Sequence, residues 1–216
     1  MNRTKGRKGR CHGLLAWAAA VVTLAGLAGV VAARPAMAGR VSRTGTMSVA
    51  AGAVYTTTAS VTVSSSVSQA SSMRLMNAGG TWSAWRPYAA STTWTLVAGD
   101  GTKTVQAQYR LTAGKTVSLS DGITLDTTAP ATTTDYDGMA APQVTVRFAA
   151  TDPLSGVATT SYRVDGGPWC HDASAVLCLH RKRNGYRSGP HTLEYFSADL
   201  AGNVESVRSV VVTLGL

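Results

Sequence analysis

The segment "MRLMNAGGTW" at 73–82 returns as "YRVDGGPW" at 162–169, and "GTKTVQAQYRLTAGKTVS" at 101–118 returns as "GPHTLEYFSADLAGNVES" at 189–206. Arg74 aligns with Arg163, Leu75 with Val164, Gly79-Gly80 with Gly166-Gly167 and Trp82 with Trp169. The offset is 89 residues at the arginines, 87 at the glycines and 88 across the later segment. A shift that steady, with only small insertions, marks a tandem duplication. The chain must therefore use a fold that fewer than ninety residues can complete, and use it twice.

Each copy reads as β-structure. Val105, Ala107 and Tyr109 alternate with Thr104, Gln106, Gln108 and Arg110; Val144, Val146 and Phe148 alternate with Gln143, Thr145 and Arg147; Val61 and Val63 alternate with Ser60 and Thr62. A period of two sends apolar side chains to one sheet face and polar ones to the other. The turns "NAGG", "AGDG", "SDG", "DGG" and "AGN" separate these runs. Short strands between such turns suit two antiparallel sheets packed face to face. Beyond the first 38 residues no helical period is sustained. The stretch "LDTTAPATTTDYDGMAAP" (125–142) places Pro130 and Pro142 where the copies meet. A proline cannot donate to a sheet ladder, so it marks a strand edge or a junction. The expected division is a signal peptide at 1–38, a disordered leader at 39–45, one sandwich at 46–127 and a second at 128–216.

The motifs "MRLMNAGGTWSAWRPY", "TWTLVAGDGTKTVQAQYR" and "LDTTAP" resemble a bacterial Ig-like repeat, and "ATDPLSGVATTSYRVDGGPW" with "HTLEYFSADLAGNVE" resembles a close relative of it. Together they cover nearly all of 46–216. The resemblance implies an all-β chain of two tandem Ig-like, fibronectin-III-like antiparallel sandwiches after an N-terminal signal peptide. Such repeats occur in secreted and surface proteins, often beside enzymatic or anchoring domains, and the resemblance names no ligand. The first copy departs from the pattern at "LTAGK", where Leu111 and Lys115 replace the Asp199 and Asn203 of "DLAGN". The second departs after Trp169, where 170–188 is inserted.

The N-terminus decides how the charge is read. Arg3, Lys5, Arg7, Lys8 and Arg10 precede the apolar run 13–33, and Ala36-Met37-Ala38 then offers a small-x-small processing site, with cleavage expected between Ala38 and Gly39. Left uncleaved, the run is long enough to anchor the chain in a membrane. No Arg-Arg pair marks a twin-arginine signal. Six of the 20 basic residues, and none of the 11 acidic ones, lie in 1–38. The remaining 14 basic residues against 11 acidic give +3, so the formal +9 is mostly a targeting signal and not a nucleic-acid footprint.

Several side chains invite a functional reading. Trp82, Trp85, Tyr88 and Trp94 cluster in "GTWSAWRPYAASTTW". Trp82 recurs as Trp169 and reads as architecture; Trp94, between Thr93 and Thr95, is expected to point inward. Trp85 and Tyr88 are the candidates for a glycan-stacking surface. Asp152, Asp199 and Asn203 carry oxygen ligands of the kind calcium takes, but their spacing is not that of a calcium loop and they equally cap turns. His191 aligns with Lys103 and is expected to face water. No nucleophile elbow and no phosphate-binding glycine loop is present. No catalytic residue, metal or cofactor is assigned.

The segment "GGPWCHDASAVLCLHRKRNGYRSGPH" (166–191) remains. Cys170, His171, Cys178 and His180 are four potential zinc ligands, yet adjacent Cys170 and His171 on a strand would point to opposite sides. Cys11 leaves with the signal, so an exported chain keeps an even pair, and a Cys170–Cys178 disulfide is expected, worth roughly 2.5 kcal/mol for so short a loop. Arg181, Lys182, Arg183 and Arg187 flank Asn184-Gly185, a strong two-residue hairpin signal. They make a candidate basic docking tip, or only a solvated turn that keeps an edge soluble. The chain is thus expected to be a monomeric, non-catalytic, secreted or surface module. Its expected partner is a cell-wall or other extracellular polymer or a protein. The alternative is a carbohydrate-binding accessory module.

Overall fold

The computed structural model describes residues 45–172, 176–180 and 185–216. The expected signal and its Ala38/Gly39 site lie outside the described residues, as do Arg181, Lys182 and Arg183. Gly45, taken from sequence as the end of the leader, opens the first strand. The chain divides into two compact units between Thr128 and Ala129, with Leu200–Asn203 grouped with the first.

The first unit contains β1 (Gly45–Val49), β2 (Tyr55–Thr56), β3 (Ser60–Val67), β4 (Ala70–Asn77), β5 (Arg86–Pro87), β6 (Ser91–Thr95), β7 (Gly101–Leu111) and β8 (Thr116–Leu125). They form a three-stranded sheet in the order β1-β3-β6 and a five-stranded sheet in the order β2-β8-β7-β4-β5. The second unit contains β9 (Ala131–Thr134), β10 (Gln143–Thr151), β11 (Val157–Val164), β12 (Cys170–Asp172), β13 (Val176–His180), β14 (Gly189–Asp199) and β15 (Arg208–Leu214). Its sheets run β13-β10-β9 and β12-β11-β14-β15. With β2 set aside, both units have one strand order: first, second and fifth strands in one sheet, and seventh, sixth, third and fourth in the other. That is an Ig-like Greek-key sandwich. The duplication extends to irregularities. A register shift falls at the start of the third strand in each unit, between Ala70 and Ser72 and between Val157 and Thr159. A parallel seam joins the chain before the second strand to the last strand in each, through Tyr55–Thr124 and Ala141–Leu214.

Alternation builds the cores. Val61, Val63, Val67, Met73, Leu75, Val105, Ala107 and Tyr109 are buried in the first unit. Val144, Val146, Phe148, Leu177, Leu179, Leu193 and Val212 are buried in the second, where Phe148 stacks on Tyr162 with centroids 5.4 Å apart. Burying one such side chain contributes roughly 1.5–3 kcal/mol. The duplicated glycine pairs close the third-to-fourth strand turns. Gly167 N–H donates to Val164 O at 2.9 Å across Asp165 (φ 50°) and Gly166 (φ 65°), a type I′ turn. Gly80 N–H donates to Asn77 O at 2.9 Å across Ala78 and Gly79 (φ 78°).

The second unit also buries a polar network. The Glu205 carboxylate accepts from Thr132 N–H at 3.1 Å, from Ser197 N–H at 2.8 Å and from the Thr132 hydroxyl. Ser197 Oγ lies 2.6 Å from Thr132 Oγ1 and 2.8 Å from Thr160 Oγ1. Arg208 Nε closes the network 3.3 Å from the same carboxylate. These bonds tie β9 of one sheet to β11 and β14 of the other. Glu205→Ala would strand buried donors and should cost on the order of 3 kcal/mol. The check is the urea midpoint of the second unit's transition; an unchanged midpoint would remove the network from the account of stability.

Candidate functional site

The outer face of the five-stranded sheet carries a ladder of guanidinium and indole groups. Arg74 on β4 lies directly across from Gln108 on β7. Its Nε and Nη2 donate to Gln108 Oε1 at 2.9 and 2.7 Å. So held, the Arg74 guanidinium stacks 4.8 Å from the Trp82 centroid and 4.7 Å from that of Trp85, and Arg110 stacks 4.0 Å from Trp85. The second unit repeats the lower rungs. Arg163 donates to both Glu194 oxygens at 2.7 and 2.8 Å and stacks 4.5 Å from Trp169, whose edge meets Phe196 at 4.8 Å. The Arg163 hydrogen bonds hold the Glu194 carboxyl below its ordinary value, and the bonds to Glu194 raise Arg163. Arg74 stands five residues before Gly79 and Arg163 three before Gly166. A two-residue difference leaves the side chain on the same sheet face, so the rung survives the length change.

This geometry corrects Tyr88 as a glycan-stacking candidate. Tyr88 is not a surface ring. It packs on the first core, meets Tyr109 edge-on at 6.0 Å, donates its hydroxyl to Ser65 O at 2.9 Å and accepts from Val67 N–H. Trp85 is half-buried and already carries two guanidinium groups. Trp94 points inward as expected, packing against the core and donating Nε1–H to Asn77 Oδ1 at 2.9 Å.

The inserted segment is also rearranged. No bond joins Cys178 to Cys170. Cys170 packs against the second core from β12, at the edge of the four-stranded sheet. Cys178 lies on β13 in the opposing sheet, between buried Leu177 and Leu179, so alternation turns it outward, where the Thr145 hydroxyl lies 3.9 Å from its sulfur. An inward Cys170 and an outward Cys178 do not face each other across the sandwich, so the expected loop staple is not formed. His171 Nδ1 pairs instead with Ser161 Oγ at 2.7 Å. Asn184 of the expected Asn184-Gly185 hairpin lies outside the described residues; β13 and β14, on either side of it, belong to different sheets. Of the basic residues only Arg187 is described, and it is exposed.

His191, expected to face water, is buried. It lies across from Val212 on the inner face of β14. Nδ1 pairs with Asp165 Oδ2 at 2.7 Å and Nε2 with Arg187 O at 2.8 Å. Burial pushes the imidazole pKa down, but the Arg187 carbonyl and the Asp165 carboxylate together raise it. Asp152 does the turn chemistry expected of it, accepting from Leu154 N–H at 3.1 Å and Gly156 N–H at 2.7 Å.

Two predictions follow from these contacts. Cation–π contacts at partly exposed sites are worth about 0.5–1 kcal/mol each, so Trp85→Ala should lower the first unit's stability by about 1–2 kcal/mol in equilibrium unfolding. A raised folded-state pKa at His191 gives stabilisation that is complete below the ordinary value of 6.5 and lost as pH rises through the higher folded value. The calorimetric Tm of the second unit should fall from about pH 6 to pH 8, and Asp165→Asn should flatten that fall. A wild-type Tm that rises across this range would contradict the assignment.

No protein-family model matches the chain, and no curated protein matches it. Among solved structures it is similar to the fibronectin(III)-like modules of Clostridium thermocellum CbhA, at 14% identity and a TM-score of 0.45, over 78% of this chain and 94% of that one. It is also similar to a tetra-tandem repeat in the extending region of a large adhesion protein, at 23% identity and a TM-score of 0.33, over 79% of this chain and 49% of that one. A third similarity is to Bacteroides ovatus SGBP-B, from a mixed-linkage glucan utilization locus and in complex with a mixed-linkage heptasaccharide. There the identity is 14% and the TM-score 0.27, over 74% of this chain and 42% of that one. The described chain is a pair of tandem immunoglobulin-like β-sandwiches.

Proposed function

We propose that this chain is an exported, non-catalytic module that binds or spaces at the cell exterior. The observation that carries the reading is where the chemically capable side chains are spent. His191 is clamped between Asp165 and the Arg187 carbonyl. Glu205 is consumed by the Thr132–Ser197 network. Ser161 and His171 are paired, but Ser161 is 1% exposed and closed to a substrate. These groups hold strands in place. The N-terminal segment supplies the export route, and the partner is a wall polymer, another extracellular polymer or a protein.

The second reading, a carbohydrate-binding accessory module, is favoured by an open cleft at the lateral edge of the first sandwich, lined by Asn77, Thr81, Arg86, Thr93, Trp94 and Thr95. In this reading the cleft replaces Trp85 and Tyr88 as the contact surface.

Pull-down of the purified protein against cell-wall and polysaccharide fractions tests the binding role; retention on none of them leaves only spacing. Turnover of any substrate that disappears with one Ser or His substitution would overturn the non-catalytic assignment. The secreted protein should begin at Gly39 by N-terminal sequencing, and an intact N-terminus in a membrane fraction would make the segment an anchor.

A further inference from the structure

The chain enters β14 through residues 185–188, the described end of the inserted segment. One side chain fastens this link. His191 lies on the inner face of β14, across from Val212 and two residues from Leu193, both fully buried. Its Nδ1 lies 2.7 Å from Asp165 Oδ2, and its Nε2 lies 2.8 Å from Arg187 O. Asp165 sits in the turn that leaves β11, and its other oxygen accepts from Thr192 N–H at 2.9 Å. Tyr186 packs on the core and sets its ring edge-on to the imidazole, with centroids 5.3 Å apart.

Both ring nitrogens therefore face acceptors. A neutral imidazole has one N–H donor and one bare nitrogen. A carboxylate oxygen and a peptide carbonyl have no proton to give, so both bonds exist together only in the imidazolium. Burial works against the charged ring, but the Arg187 carbonyl and Asp165 outweigh it and raise its pKa above the ordinary 6.5. The carboxylate is the stronger of the two acceptors because it carries charge. When the ring gives up a proton, it keeps the one on Nδ1. Nε2 then presents a lone pair to the Arg187 carbonyl, and two lone pairs at that distance repel. Asp165 is the charge that acts on the ring. Tyr186 stays neutral, since burial raises its phenol. Arg187 turns its carbonyl to the ring and its residue is exposed. The Tyr136 hydroxyl, near the end of β15, is engaged with Thr213 N–H at 3.0 Å. Glu194 and Arg208 on the flanking strands are paired with Arg163 and Glu205.

We propose that His191 is a pH-operated latch: as an imidazolium it fastens the link into β14 at the Arg187 carbonyl, and on losing a proton it releases that carbonyl while keeping Asp165. Asp165 is exposed, so the proton can leave to water without unfolding of the sandwich. The first copy carries Lys103 at the aligned position and has no imidazole there to switch. Arg187 belongs to the candidate basic docking tip, so the latch decides whether its backbone is held or loose when a partner is met.

NMR of the isotopically labelled protein between about pH 5 and pH 9 tests it, a range that brackets an ordinary imidazole. Long-range proton–nitrogen correlations of His191 should show both ring nitrogens protonated at the acid end and only Nδ1 protonated at the alkaline end. Hydrogen-exchange protection of the Tyr186, Arg187 and Ser188 amides, corrected for the intrinsic pH dependence of exchange, should fall with the same midpoint. The fall should be about tenfold or more, the worth of one hydrogen bond to a charged group. His191→Phe keeps a ring and removes both donors, so its link should be poorly protected at every pH. Asp165→Asn removes the charge that holds the second proton, so its midpoint should move down by about one pH unit or more; it serves alone if the phenylalanine variant does not fold. A neutral ring with its proton on Nε2 would hold Arg187 and release Asp165, and would overturn the proposal. So would a ring that is already neutral at the acid end, a link whose protection is flat across the ring's titration, or a pH response of the link that persists in His191→Phe. An Asp165→Asn midpoint equal to that of the wild type would also overturn it.

Discussion

Each sandwich encloses one interior between two sheets, and every strand reaches that interior with only every second residue. The rest of the structure follows from this. Where the inward residue is apolar it joins the core, as Val105, Ala107 and Tyr109 do on β7. Where it is polar it has to be answered by a partner, because water cannot follow it in. His191 is answered by Asp165 and the Arg187 carbonyl, and Ser197 by Thr132 and Thr160. Asn77 is answered by Trp94 and the Thr95 carbonyl. The exceptions among the described residues of the first unit are Ser65 Oγ, the Tyr109 hydroxyl and the Nε and Nη2 atoms of Arg86, which are buried without a hydrogen-bond partner.

The two copies keep one topology while solving the polar problem differently. On the outer face the first uses Arg74 with neutral Gln108 and extends the stack through Trp85 to Arg110. The second pairs Arg163 with charged Glu194 and ends at Trp169. A partly buried ion pair of this kind adds modest net stability; what it shares with the amide pair is a fixed guanidinium plane for the indole. The rung is therefore preserved as a shape while its charge changes. The two-residue difference in length before the glycine turns is tolerated because a sheet of period two maps it back onto the same face.

The strands, their inward residues and the glycine turns were legible in the sequence because each is a local pattern: alternation for β3, β7 and β10, and positive-φ turn residues at Gly79 and Gly166. The errors arose where locality fails. Asn184-Gly185 announces a turn but cannot say which sheet the next strand joins, and β13 and β14 belong to different sheets. Cys170 and Cys178 are close in sequence, but one packs inward and the other faces outward. His191 was judged by its alignment with Lys103, though both positions pair with buried residues, Val212 and Ile123, and so sit on the inner face. Tyr88 lies between two short strands with no period to orient it. The cleft had a weak signal, an arginine directly before a proline in a short edge segment. Its orientation became visible only through the register with Met73.

A sandwich hides its inner residues everywhere except along its open edges, where one side chain can belong to the interior and still face a cleft. Broad outer faces are poor places for selective recognition here, since the first unit covers part of its own with stacked arginines. An edge position has the opposite character: the low-dielectric interior behind it strengthens any charge contact in front. Arg86 and Trp94 come from the edge strands of different sheets, so the gap between them is set by core packing and not by a loop. A site built in this way is preorganised by the same burial that makes the fold stable. The duplication then provides an internal comparison, because the second unit has the same strand order and places Cys170-His171-Asp172 on the strand equivalent to β5. An arginine at that edge is therefore a property of the first copy's side chains and not of the fold.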